Sequence, residues 1–161
     1  MSLEDKMDKL FSKIGEQAVA MIPGVWTEIV LQSEMSDASG EINLFFKTLD
    51  SPDTFLMGFN IPNIYGVSED VYRDLYFELF DFVRELRKTL IDHGQEPFAT
   101  FIMRINESGE MNVDFGYTTW SELTLNDSDV RNYLQYKYNI RDSFGEKELL
   151  KFQKMAEIEN G

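Results

Sequence analysis

The sequence predicts an α+β fold, an antiparallel sheet of about five strands in the order α-βββ-α-ββ-α-α with helices packed mainly on one face. Three observations predict it. Apolar residues recur at helical spacing over residues 4–22 and 68–93, they alternate over 25–59 and 98–117, and the strand-like runs are joined by short turns without strand-helix-strand alternation. The 161 residues read as one domain, long enough to bury a core unaided. It comprises an N-terminal helix in 1–24, a sheet with a long helix (68–93) in 25–117, and C-terminal helices in 127–159.

Met7, Leu10, Phe11, Ile14, Ala18, Met21 and Ile22 form the first helical stripe, which Pro23-Gly24 ends. From Val25 the period becomes two. Val25, Ile29, Leu31 and Met35 share one face, and Trp26, Glu28, Val30, Gln32 and Glu34 share the other, so one side is mostly buried. Ser36-Asp37-Ala38-Ser39-Gly40 is turn chemistry, after which Ile42, Leu44 and Phe46 resume the alternation. Past Asp50-Ser51-Pro52-Asp53, the residues Phe55, Met57 and Phe59 suggest a third strand, and 60–67 reads as a loop.

Ser68 is placed as an N-cap, with Glu69 and Asp70 in the first turn where the helix dipole favours acids. The stripe Val71, Leu75, Tyr76, Leu79, Phe82, Val83, Leu86 and Leu90 follows, and Gly94 is the left-handed residue that closes the helix. Residues 98–106 and 111–117 make a second hairpin around Glu107-Ser108-Gly109, with Met111, Val113, Phe115 and Tyr117 on one face. Residues 118–126 form a loop holding Trp120. Asp127 or Ser128 caps a short helix with Val130, Tyr133, Leu134 and Tyr138 inward, and Ser143 with Glu146 matches a capping box before Leu149, Leu150 and Met155.

Twenty-nine acids against fifteen bases give a formal charge of −14, spread as −6 over 1–60, −4 over 61–100 and −4 over 101–161. Such a field repels phosphate backbones and anionic lipid and accelerates encounter with a basic partner, so direct nucleic-acid binding is disfavoured. The absence of cysteine excludes disulfides and thiolate zinc sites and fits a reducing compartment. Residues 1–10 lack the apolar core of a signal peptide, and no run approaches a membrane span, so a cytoplasmic protein is expected.

Catalytic chemistry needs a nucleophile with a base, a metal cage or paired carboxylates. His93 is the lone histidine and falls at a helix C-terminus. Asp127 with Asp129, and Asp50 with Asp53, do not continue into a calcium-loop pattern, and no glycine-rich phosphate cradle occurs. The expectation is no enzyme, no metal and no cofactor. Phe45, Phe46, Phe55, Phe59, Phe101 and Phe115 read as core, whereas Trp120 and the tyrosine-rich stretch around Tyr136 have the composition of an interface anchor. Two alternatives stand beside partner binding by the acidic face: a small carboxylate-based metal-dependent enzyme, and a generic acidic interaction module.

Met21-Ile22-Pro23 followed by Trp26, the strand Ile29 to Glu34, Ile61-Pro62, Val67-Ser68, Glu85-Leu86-Arg87 and Gly94-Gln95-Glu96-Pro97 occur in an order that resembles the YezG/EsaG-like antitoxin family. The resemblance covers about residues 7–117, with Phe98 standing where the family pattern carries tryptophan. It implies a non-catalytic immunity protein that neutralises a cognate nuclease toxin exported by a type VII secretion system. With that partner, the contact residues expected from charge and exposure are Glu28, Glu34, Glu96 and Asp114, with Trp120 and Tyr136 as anchors.

Overall fold

The computed structural model describes residues 1–123 and 125–161; Thr124, expected in a loop, and the side chain of Asp127, one of the two expected caps, lie outside the described residues. The chain forms two compact units, Met1–Tyr117 and Thr118–Gly161. The first contains α1 (Leu3–Ala20), β1 (Trp26–Met35), β2 (Gly40–Thr48), β3 (Leu56–Met57), α2 (Ile61–Tyr65), α3 (Glu69–Asp92), β4 (Thr100–Asn106) and β5 (Met111–Gly116). The second contains α4 (Asp127–Lys137) and α5 (Glu146–Asn160).

The fold is α+β, with one antiparallel sheet in the order β3-β2-β1-β4-β5. β1 is central, pairing Leu31 with Leu44 of β2 and with Met103 of β4. That register sends Ile29, Leu31 and Met35, with Leu44, Phe46, Phe101 and Met103, to one face. There they meet Leu10, Ile14 and Ala18 of α1 and Leu79, Val83, Leu86 and Leu90 of α3. Burying each large aliphatic side chain contributes about 1.5–3 kcal/mol before ordering costs, so this one layer organises the first unit. Ser33 lies on the same face, 1% exposed, and its hydroxyl has no hydrogen-bond partner among the described residues.

Helix ends follow local chemistry with several shifts from expectation. Ser2 caps α1 by accepting from Asp5 N at 3.1 Å. Ser68 occupies the N-cap of α3 without a side-chain bond. At the other end Gly94, with φ +71°, allows Gln95 N to bond Leu90 O and Gly94 N to bond Ile91 O, the paired closure expected of a left-handed residue there. α4 is capped by Asn126 in a reciprocal pair with Asp129, one residue before the expected caps. α5 starts at Gly145, whose N–H is taken by the Glu148 carboxylate, so the expected Ser143–Glu146 box is displaced by two residues. The displacement leaves Leu149 and Leu150 exposed and turns Phe152 and Met155 inward.

The third strand is the largest correction. Only Leu56 and Met57 pair, against Phe46 and Phe45, and Gly58–Asn60 turns into a 3-10 helix that leads into α2 in place of the expected loop. Gly58 is wedged against Leu44 and the Tyr72 hydroxyl where a side chain would collide. Pro62 favours a helical start, so Ile61 becomes the buried residue and Phe59 faces solvent. Val71, expected on the buried stripe of α3, is also exposed.

So short a β3 leaves the outer edge of β2 without a strand partner at Ile42. The Tyr76 hydroxyl fills that place, donating to Ile42 O at 3.1 Å and accepting from Ile42 N at 3.3 Å. One side chain thus satisfies both backbone groups and blunts an edge that could otherwise pair with another chain. Replacing Tyr76 with Phe is expected to lower unfolding free energy by about 1–3 kcal/mol, the cost of unsatisfied buried groups, as read by urea denaturation. An unchanged midpoint would show that the edge needs no cap.

Burial, and secondarily the nearby Tyr76, raises the Tyr72 phenol from 10.0 to about 12. The folded state therefore holds this proton more tightly than the unfolded chain. Its stabilising contribution is complete below pH 10 and is lost as pH rises from 10.0 to about 12. Stability should decline through that window, and Tyr72→Phe should make the decline shallower. A decline of identical steepness in the variant would contradict the assignment.

Candidate partner-binding surface

Glu28, Glu34 and Asp114 share the sheet face opposite α1 and α3, with Glu28 and Glu34 six residues apart along β1. Strand alternation puts them there, since Gln32 pairs with Ile102 and Ile102 with Asp114, aligning β5 with the even residues of β1. This face is less polar than its sequence suggests. Val30 pairs with Phe45, and both are buried, as are Gln32 and Ile102. Glu28 lies 3.7 Å from Lys47 and 3.8 Å from Arg104, so its charge is balanced within the unit. Glu34 stands across from Glu41 in the β1–β2 register, concentrating negative charge, and Asp114 is exposed.

Glu96 is exposed in the connection between α3 and β4. Pro97 holds it extended, and Phe98 immediately after is fully buried, its ring stacked on Phe115 at 5.0 Å and 2°. The connection is tied to α3 by Arg87, whose Nε donates to Phe98 O at 3.0 Å. The same guanidinium donates through Nη1 to Asp37 at 2.7 Å, so one side chain joins α3, the β1–β2 turn and the approach to β4. His93 belongs to this end too: its Nδ1 donates to Thr89 O at 2.8 Å, and Nε2 accepts from Lys6 at 3.4 Å.

In the second unit the two expected aromatic anchors separate. Trp120 is 1% exposed, edge-on to Tyr133 at 5.6 Å, and belongs to the core with Val130, Leu134, Phe152 and Met155. A side chain so enclosed offers no surface to a partner, which corrects its expected role. Tyr136 is 39% exposed, stacked on Phe152 at 5.1 Å with Phe144 edge-on at 5.8 Å. Its neighbour Tyr133 donates to Glu159 at 2.8 Å; burial first, then this bond, raises the phenol above its ordinary value. Lys137 also reaches Glu159, at 2.7 Å.

The most exposed apolar side chains are ones that sequence reasoning did not assign to a surface. Val25 and Val71 were expected on buried stripes and Phe59 in a strand, yet they are 73%, 52% and 67% exposed, and Leu49 is 72% exposed. A signal for them exists in the chain. No Lys, Arg or His occurs between Lys47 and Arg73, whereas Asp50, Asp53, Glu69 and Asp70 do, so Leu49, Phe59 and Val71 fall in a stretch whose charged residues are all acids. Among the described residues, no group of three or more His, Asp or Glu side chains could hold a metal ion, and no helix is long and apolar enough to cross a membrane. What the surface offers chemically is negative charge beside apolar contact.

The sequence pattern of the family described as immunity protein YezG-like matches residues 7–150. The chain is 31% identical to the immunity protein YezG of Bacillus spizizenii over 132 residues, 82% of this chain and 81% of that protein. It is 30% identical to the type VII secretion system protein EsaG of Staphylococcus aureus over 137 residues, 85% and 83% of the two chains. Similarity to the immunity protein YezG of Bacillus subtilis is 31% over 111 residues, 69% of this chain and 73% of that protein.

The two bonds of Arg87 are unequal, because Asp37 is exposed whereas the Phe98 carbonyl is part-buried. Arg87→Ala is expected to cost about 2–3 kcal/mol by urea unfolding, the range for a charged donor leaving a buried acceptor unmade. Asp37→Ala should cost less than about 1 kcal/mol, as exposed ion pairs do. Equal losses in the two variants would place the main contribution in the ion pair.

Proposed function

We propose, from the premise that this chain belongs to the YezG-like immunity protein family, that it neutralises a cognate nuclease toxin by forming a stoichiometric, non-catalytic complex in the cytoplasm. The observation that carries the toxin's chemistry is charge. Residues 1–117 hold 21 acids against 9 bases, whereas residues 118–161 hold 8 against 6, so the negative field belongs mainly to the sheet-bearing unit. Nuclease domains grip phosphate with basic surfaces, and a strongly acidic protein meets such a surface by steered association. The field that attracts the toxin also keeps this protein off nucleic acid.

Inhibition then follows from occupancy. A protein seated on the basic surface excludes the phosphate backbone without any bond being made or broken. The exposed acids of the sheet-bearing unit, Asp114 among them, set the strength of the negative field, and Glu28 contributes less because Lys47 and Arg104 already balance it. The relative named for the type VII secretion system suggests that the toxin is a substrate of such a system.

Titrating purified protein into a DNA and an RNA cleavage assay of the toxin encoded beside it tests the proposal. Cleavage should fall linearly and vanish near one equivalent. Undiminished cleavage of both substrates at excess protein would refute nuclease inhibition. Complete loss far below one equivalent would refute the stoichiometric mechanism and indicate turnover.

A further inference from the structure

The two ends of the sheet in the first unit differ in charge and in apolar exposure. β1 begins where β2 ends and β4 finishes, as the pairs Trp26–Thr48 and Glu28–Asn106 require. The connections before β1, after β2 and between β4 and β5 therefore gather at one end. α1 runs toward this end and α3 departs from it: Gln17, in the last turn of α1, donates to Leu75 O at 2.9 Å, while Lys6 meets His93 at the far end. Gly24 abuts Tyr65, which brings the α2–α3 connection to the same place.

Residues 21–25, 49–55, 66–68 and 107–110 make up these four connections, and the charged residues in them and at the first two positions of α3 are all acids. Asp50, Asp53, Glu69, Asp70, Glu107 and Glu110 are all exposed. Val25, Leu49 and Val71 project among them, each more than half exposed. The opposite end is mixed, with Lys6, Arg87, Lys88 and His93 beside Asp37, Asp92 and Glu96. Exposed apolar side chains ringed mainly by acids, with Arg73 of α3 paired to Asp70 at 3.0 Å, have the anatomy of a hot spot with a charged rim.

We infer that this loop-bearing end of the sheet is the docking surface for the toxin, with Leu49, Val25 and Val71 as the apolar contact and the acidic connections as the rim. The inference rests on the function proposed above and names the surface that performs it. The occupant is the toxin's basic nucleic-acid-binding surface, presenting an apolar patch surrounded by Lys and Arg. Nucleic acid itself is repelled by the rim, and a second copy of this chain would bring like charges together. The rim governs the rate of encounter, and the apolar centre governs residence time.

The test measures association and dissociation of the neighbouring toxin with wild-type protein and three variants. Leu49→Ser with Val71→Ser should speed dissociation at least about tenfold. Asp50→Asn, Asp53→Asn, Glu69→Gln and Glu107→Gln combined should slow association and flatten its salt dependence. Asp92→Asn, at the opposite end, should bind as wild type does. Side chains this exposed leave the fold intact, and matching urea midpoints would verify it. Failure of the wild-type chain to bind overturns the proposed function. A wild-type complex that survives the first two variants unchanged, or is lost with Asp92→Asn alone, overturns this surface and leaves the function standing.

Discussion

The first unit depends on β1 pairing on both of its edges at once. Leu31 must sit beside Leu44 and Met103 together, because only that register directs Ile29, Leu31 and Met35 into the layer filled by α1 and α3. A slip of one residue would present Val30, Gln32 and Glu34 to the helices and bring charge into the core. The other elements are consequences. β2 and β4 are long because they match β1, β3 is short because the chain leaves the sheet to bury Ile61, and Tyr76 completes the edge that β3 abandons.

Charge is distributed around this frame in two ways. Where acids approach bases within the sheet and at its mixed end, as Glu28 does with Lys47 and Arg104 or Arg87 with Asp37, the charge is consumed internally and shapes the fold. Among the described residues, the acids at the other end, apart from Asp70 with Arg73, form no ion pair and sit beside solvent-facing apolar residues. The first arrangement positions backbone; the second creates a field that extends into solvent and acts on encounter. Family membership and a net charge of −14 are thus reconciled with a stable unit, because among the described residues no acid is buried and solvent screens the repulsion between them.

The sequence blocks that resemble the immunity family acquire structural reasons. Glu85-Leu86-Arg87 contributes a buried core leucine and the guanidinium that reaches the Phe98 carbonyl. Gly94-Gln95-Glu96-Pro97 ends the helix and aims the chain into β4, delivering the fully buried Phe98 onto Phe115. Ile61-Pro62 turns the chain into α2 with Ile61 inside. These blocks mark how the chain is folded, and in them Glu85, Gly94, Gln95 and Glu96 are left facing solvent.

By itself the sequence determined the class of fold, the helix stripes, both hairpins and the family, because each is written in neighbouring residues: spacing of three and four, alternation, Gly94, and the ordered blocks. It also determined a negative charge with no cysteine and one histidine. Tertiary structure decided what neighbours in sequence cannot: that Val30 and Phe45 pair and are both buried, that Trp120 is enclosed, that Phe59 and Val71 are outside, and that four separate connections meet at one end of the sheet. Periodicity reports which residues share a side of one element. Whether that side is covered, and which distant side chains stand beside it, depends on the register and packing of the other elements.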